Sequence, residues 1–457
     1  MEDKLFNKKE IGWSKIDTRE KEAIYSYCNG YMNFMNKSKT EREAVITAKA
    51  IAESNGFRDL ASYETLNPGD KVYFINREKS MYLAVIGTEK LENGIQIVGA
   101  HIDSPRLDLK PNPLYEDSGF AYFKTHYYGG IKKYQWVTVP LELRGVVALK
   151  NGKKVKVAVG AKENDPLLVI TDLLPHLAND QYKKSLAESF TGEGLNILIG
   201  SRPFEGDKVS DGVKLEVMRL INEEYGIEEE DFLSAELSAV PAYKACDIGF
   251  DRSMIGGYGH DDRVCAYAAL RSVLEVNMPR YTSVCVLADK EEIGSEGVTG
   301  MKSKAFDMFA TMLCEADGSK LDECFANSIC LSTDVCNGFD PNYPEVSEKR
   351  NSAKLNYGVG ICKYTGSRGK SGASDASAEL VAQIRELFDE GEVFWQMAEL
   401  GKVDQGGGGT VAMFMAERNI NTIDAGVPVL SMHAPFEVVS KLDCYMTYKG
   451  IKTLFKR

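Results

Sequence analysis

Apolar and polar positions along the chain fall into three successive textures. Over the first hundred residues a helical period gives way to short apolar runs. Thr40-Glu41-Arg42-Glu43 has the spacing of a capping box and predicts a helix through roughly Ala52, closed by Asn55-Gly56. Ile95-Gln96-Ile97-Val98-Gly99-Ala100 has the length of a buried strand and delivers the chain to His101. From about Leu107 to Cys246 aromatic and β-branched residues dominate, over Phe120 to Tyr128, Trp136 to Leu149 and Val155 to Val159. Turn signals such as Asn151-Gly152 separate these runs, and Gly192-Glu193-Gly194 and Glu228 to Asp231 read as loops. This middle stretch predicts a mainly β insert.

Beyond it, strand and helix patterns alternate. Strands are predicted at Ser283–Leu287, Phe309–Leu313, Ser328–Leu331 and Asn421–Ala425, and helices at Val264–Val276, Asp375–Leu387 and Val438–Phe455. Such alternation implies a parallel or mixed sheet covered by helices on both faces. The expected architecture is therefore an α/β domain with a mixed central sheet, built from residues 1–106 and 247–457 and interrupted by a β-rich insert over 107–246. A length of 457 residues agrees with more than one domain.

Composition narrows the function classes. A hydrophobic fraction of 44% with 27% charged residues is that of a globular chain with ample material for a core. The net charge of −12 disfavours sequence-independent nucleic-acid binding, which needs clustered cations to neutralise phosphates. Met1-Glu2-Asp3-Lys4 opens the chain with no apolar h-region, and no run is long enough to span a bilayer, so neither leader nor membrane anchor is expected. None of the ten cysteines forms a Cys-x-x-Cys pair, which points to small buried hydrophobes in a reducing cytoplasm.

The chemistry concentrates at predicted element ends. His101 follows a strand, where side chains reach the crevice in which open α/β sheets bind ligands, and Asp103 lies on the same side of an extended chain, placed to orient the imidazole. Asp261 and Asp262, within Gly259-His260-Asp261-Asp262-Arg263, head a helix, where acids also serve simply as caps. Glu291 and Glu292 end the run Val284 to Ala288. Adjacent glutamates point in different directions, so one can ligate while the other faces substrate. Asp334 ends Leu331-Ser332-Thr333, and His433 follows Val427 to Met432. The run Gly406-Gly407-Gly408-Gly409 reads either as a flexible turn or as backbone brought against a substrate terminus or oxyanion.

Each feature alone has a bland structural explanation. Together they supply imidazole and carboxylate donors without thiolate, a set suited to catalytic zinc, manganese or cobalt. Two such ions sharing a carboxylate would hold hydroxide at neutral pH, and the spare glutamate would move the proton as general base. That is a hydrolytic site.

In order along the chain, Gly99-Ala100-His101-Ile102-Asp103-Ser104-Pro105, Tyr128-Gly129-Gly130, Asp261-Asp262, Glu291-Glu292-Ile293-Gly294-Ser295, Asp334, Pro341-Asn342-Tyr343 and Ser431-Met432-His433 resemble the motifs of the aspartyl aminopeptidase / vacuolar aminopeptidase I family of metallopeptidases, in its bacterial branch. The resemblance implies a metal-dependent aminopeptidase acting on peptides with free N-termini, with two divalent ions per subunit. Zn²⁺ is the expected metal, with Co²⁺ or Mn²⁺ as substitutes. His101 and Asp334 would bind one ion, Glu292 and His433 the other, and Asp261 both. Glu291 would be the general base, Asp103 the partner of His101, and Asp262 an orienting residue. It further implies that the insert is an assembly domain of a tetrahedral dodecamer. A histidine from a neighbouring insert, His176 or alternatively His126, would then reach the site. Asn337 and Asp340 stand where the animal aspartyl-specific branch is histidine-rich, which leaves the preferred first residue open. Lys363 is a candidate for reading an acidic side chain, or a solvated strand lysine. Two rivals stand beside this reading. One is a two-metal carboxypeptidase or amide deacylase, the other a non-catalytic assembly or cargo protein on the same scaffold.

Overall fold

A computed structural model describes residues 5–7, 9–206 and 210–457. The opening Met1 to Lys4 lies outside the described residues. The chain divides into two compact units. One comprises Met1–Asp103, Ala245–Met432 and Glu437–Arg457, the other Ser104–Lys244 with the short return His433–Phe436.

The first unit is organised by a nine-stranded mixed sheet. Its order runs Arg58–Asp59, Lys71–Asn76, Ser80–Val85, Ser283–Ala288, Gln96–His101, Ile329–Ser332, Asn421–Gly426, Val359–Cys362 and Trp395–Met397. The four strands from Ser283–Ala288 to Asn421–Gly426 are mutually parallel. Their alternating side chains separate two cores. Val98, Ala100, Cys285 and Leu287 face one, and Ile97, Val284, Val286 and Ala288 face the other. Both sides are apolar because both are roofed, as parallel strands require. The first core is closed by helices Thr18–Lys37, Glu41–Ser54, His260–Leu274, Ala378–Glu390 and Lys441–Phe455. The second is closed by Ala305–Asp317, Leu321–Ala326 and Val411–Ala416. A smaller five-stranded sheet carries Met254–Gly257 beside Glu437–Ser440.

Local signals explain most element ends. The Thr40 side chain accepts the Glu43 N–H at 3.3 Å and starts the helix Glu41–Ser54. The strand expected to end at His101 spans Gln96–His101. Two expectations fail. Phe309–Leu313 lies inside the helix Ala305–Asp317, where Ala305, Phe306, Phe309, Ala310, Leu313 and Cys314 are the buried positions. That is a period of 3.6, and the apolar pentapeptide within it carries no period of its own. Val438 and Val439 do not begin the last helix. They belong to strand Glu437–Ser440, after which Lys441–Phe455 forms the helix. Adjacent β-branched residues pack there against a neighbouring strand instead. The glycine run Gly406 to Gly409 lies between strand Trp395–Met397 and helix Val411–Ala416.

The second unit is a six-stranded antiparallel sheet, in the order Lys154–Val159, Leu141–Ala148, Ala235–Pro241, Arg106–Asp117, Phe120–Tyr128 and Ile197–Gly200. It also holds the helix Gly212–Tyr225, which the β-rich texture concealed and which stops at left-handed Gly226, φ 70°. No helix among the described residues is long and apolar enough to cross a membrane.

Candidate metal centre

Parallel register brings the candidate chemistry to one edge. Strand Gln96–His101 is flanked by Ser283–Ala288 on one side and Ile329–Ser332 on the other, with Ala288 opposite His101 and Ser332 opposite Gly99. All three run the same way. Their carboxyl ends therefore release His101, the Glu291–Glu292 turn and Asp334 at one rim, where open α/β sheets bind ligands. Helix His260–Leu274 presents its own beginning there. Asp261 and Asp262 depart from helical φ/ψ and so form a bent lead-in to that helix.

The resulting constellation is tight and buried. His101 Nε2 lies 3.1 Å from an Asp261 oxygen, 3.6 Å from Asp334 and 3.9 Å from Glu291. The side chains of His101, Asp261, Asp334 and Glu291 are only 1%, 5%, 8% and 16% exposed. Two sets, His101 with Asp261 and Glu292, and His101 with Glu291 and Asp334, each offer donor atoms within 4.8 Å of one another.

Asp103 does more than sequence spacing implied. Its carboxylate sits 3.3 Å from His101 Nδ1, and its main-chain oxygen accepts from that same nitrogen at 3.0 Å. Its two oxygens also accept the backbone N–H groups of Glu291 and Glu292, at 3.1 and 3.2 Å. One buried side chain therefore orients the imidazole and pins the glutamate turn. That turn is a single 3₁₀ segment between left-handed Lys290 and Gly294, with φ of 66° and 79°. Asp262 Oδ2 accepts the His101 backbone N–H at 3.1 Å.

Electrostatics show what such a cage needs. Burial pushes the Glu291 carboxyl well above its usual range, and Asp334, Asp103 and Asp261 push it further while His101 opposes them. Burial and Asp334 act on Asp262 in the same direction. Burial alone would lower His101, yet its hydrogen bonds to Asp103, Asp261 and Asp334 outweigh it and hold the ring above its ordinary value. Crowded carboxylates around one imidazole are costly until a cation compensates them, and a divalent ion reverses that cost outright. Oxygen and imidazole donors at these separations fit zinc and its borderline relatives.

Other sequence candidates lie elsewhere. His433 belongs to the second unit, where its Nδ1 pairs with the Gly130 carbonyl at 2.7 Å. Donation from Nδ1 makes Nε2 the lone-pair nitrogen, as a ligating histidine requires. His176 is exposed on the short turn Pro175–Leu177. His126 is exposed too, with Nδ1 on the Tyr127 carbonyl at 2.7 Å. His260 is fully buried against the Tyr31 hydroxyl at 2.7 Å, a structural role. Lys363 is 38% exposed and pairs with Asp375 at 3.0 Å, beside Lys370 on the same carboxylate. The glycine run approaches other loops closely. A Cβ on Gly406 would meet the Leu400 carbonyl at 2.0 Å, and one on Gly407 the Gly366 carbonyl at 2.3 Å. At Gly408 the space is open, and at Gly409 the nearest atom is the Gly372 carbonyl at 3.6 Å. Glu437, which accepts the Asp261 N–H, had no sequence signal. It follows Pro435-Phe436 with nothing to distinguish it from a surface glutamate.

The chain is similar to known proteins along nearly its whole length. A family model described as aminopeptidase I zinc metalloprotease (M18) matches residues 34–455. A Clostridium acetobutylicum protein described as probable M18 family aminopeptidase 1 is 50% identical over 458 residues, covering 98% of each chain. The crystal structure of an M18 family aminopeptidase from Thermotoga maritima superposes with a TM-score of 0.95 at 43% identity, covering 99% of this chain and 100% of that one. The S. cerevisiae mApe1 dodecamer shares the fold at a TM-score of 0.75 and 21% identity, covering 94% of this chain and 96% of that one.

Proposed function

Because the chain belongs to the M18 family of aminopeptidase I zinc metalloproteases, we propose that it hydrolyses the first peptide bond of substrates with a free amino terminus, at two divalent ions held by the strand-end cluster. The observation that carries this reading is the convergence of His101 with Asp261, Asp334 and Glu291 at one buried rim. His101, Asp261 and Asp334 would hold one ion, and Asp261, Glu292 and, by its motif, His433 the other. When bound, such ions polarise the scissile carbonyl and lower the pKa of water. Glu291 takes the proton of the attacking water and returns it to the leaving amine. Asp103 keeps the Glu291 backbone fixed while this happens. The carboxylates of the cluster would favour the cationic N-terminus of a peptide over an acylated one.

The test is hydrolysis of a panel of N-terminal aminoacyl substrates by metal-stripped protein re-supplied with Zn²⁺, Co²⁺ or Mn²⁺. Metal-dependent release from free but not acetylated termini is expected. Equal cleavage of acetylated peptides would move the assignment to a deacylase. Acidic substrates leading the panel would bring Lys363 in as a selector. Apolar substrates leading it would leave Lys363 to its ion pair with Asp375.

We also propose that copies of the chain associate through the second unit, the tetrahedral dodecamer being the arrangement expected. Leu173, Leu174, Leu177, Tyr182 and Leu186 are 53%, 51%, 68%, 69% and 63% exposed within a short stretch. Exposed apolar side chains at that density along the chain are the kind an interface buries. Replacing Leu174 and Leu177 together with Asp is expected to shift sedimentation to smaller species. His176 lies between them, so the same variant should lose activity if a neighbouring copy completes the site. Unchanged sedimentation would place the interface elsewhere.

A further inference from the structure

Glu437 is 1% exposed, and its carboxylate accepts the backbone N–H of Asp261 at 3.2 Å. The sheet that holds it explains why the two meet. Strand Glu437–Ser440 runs antiparallel to Met254–Gly257, and Glu437 stands opposite Gly257. After Gly257 the chain turns at Gly259, whose φ of 78° suits a residue without a Cβ. It then returns through His260 to Asp261. The Glu437 side chain reaches into that return. On the other flank Tyr31 holds the His260 ring at 2.7 Å. The peptide that presents Asp261 is thus gripped from two elements distant in sequence.

Asp261 is the one carboxylate that the two-ion reading asks to serve both ions. Its oxygen lies 3.1 Å from His101 Nε2, so a small rotation of its backbone would carry it out of the cluster. Groups that hold a ligand without touching the metal commonly govern affinity.

We infer that Glu437 is a positioning residue for the metal centre, acting through the Asp261 backbone. The inference rests on the proposed role of Asp261 as a ligand. What the Asp261 N–H requires is an acceptor oxygen. A carboxamide supplies the same acceptor, a thioether of similar length supplies none, and aspartate withdraws the acceptor by one methylene while keeping the charge.

The experiment compares full-length Glu437→Gln, Glu437→Met and Glu437→Asp with the unaltered protein. Zn²⁺ affinity is measured by chelator competition, kcat and KM are measured at saturating metal, and thermal unfolding is followed in the metal-stripped form. Glu437→Gln should keep Zn²⁺ affinity within about threefold. Glu437→Met should bind Zn²⁺ about 10–100-fold more weakly, with KM nearly unchanged. The metal-stripped forms should unfold alike, because a merely structural role would show there first. Wild-type affinity in Glu437→Met overturns the inference, as does a Glu437→Gln variant as weak as Glu437→Met. Should the methionine variant fail to fold, Glu437→Asp decides. About tenfold weaker binding supports the acceptor role, and unchanged binding overturns it. An unaltered protein that binds no Zn²⁺ would instead sink the proposed function itself, which separates the two failures.

Discussion

Glu291→Gln is expected to lower kcat by about a thousandfold while the protein still binds its metal in full. Proton transfer by a positioned side chain contributes roughly 10²–10⁴-fold, and glutamine keeps the shape while removing the basic oxygen. The variant also resolves a real ambiguity. Geometry groups Glu291 with His101 and Asp334 as a set able to hold an ion, whereas the motif makes Glu291 the base and leaves ligation to Glu292. Both side chains leave one turn clamped by Asp103. If Glu291 is the base, Zn²⁺ content measured by mass spectrometry stays intact and only turnover collapses. If content falls in step with activity, Glu291 is a ligand and the proton must be moved by another group.

Asp261→Ala should remove both ions together. Each proposed site has three protein ligands, the usual number for a catalytic zinc, and Asp261 is counted in both. Without it, His101 and Asp334 remain on one side and Glu292 and His433 on the other. Two ligands hold zinc poorly, so dialysis against a weak chelator should leave the variant nearly metal-free and inactive. His101→Ala, by contrast, should spare the Glu292 side. Loss of a single ion in Asp261→Ala would show that the carboxylate is not shared.

The rim of the sheet was legible because strands Gln96–His101, Ser283–Ala288 and Ile329–Ser332 each end on, or a few residues before, a proposed site residue. His101, Asp334 and the paired glutamates all follow apolar runs, and parallel strands deliver their ends to one place. The positions of Asp261 and Asp103 were legible for a related reason, since each lies within a few residues of an element boundary. What escaped was whatever depends on long-range contact. Glu437 is separated from Asp261 by 176 residues, and no local pattern marks a glutamate that will be buried against a backbone amide. Phe309–Leu313 read as a strand because a short apolar window has the same composition in either state. The partners of Asp103 on the glutamate turn were invisible too. Spacing revealed its proximity to His101, two residues away, but not to a turn 188 residues downstream.

The second unit is closed by a return of four residues, His433–Phe436, that leave the ribosome long after Lys244. The gap from 244 to 433 is 189 residues, roughly 10–40 s of synthesis at about 5–20 residues per second. The rim residues themselves run from His101 to Asp334, and Glu437 comes later still. A nascent chain therefore holds an incomplete cage for most of its elongation.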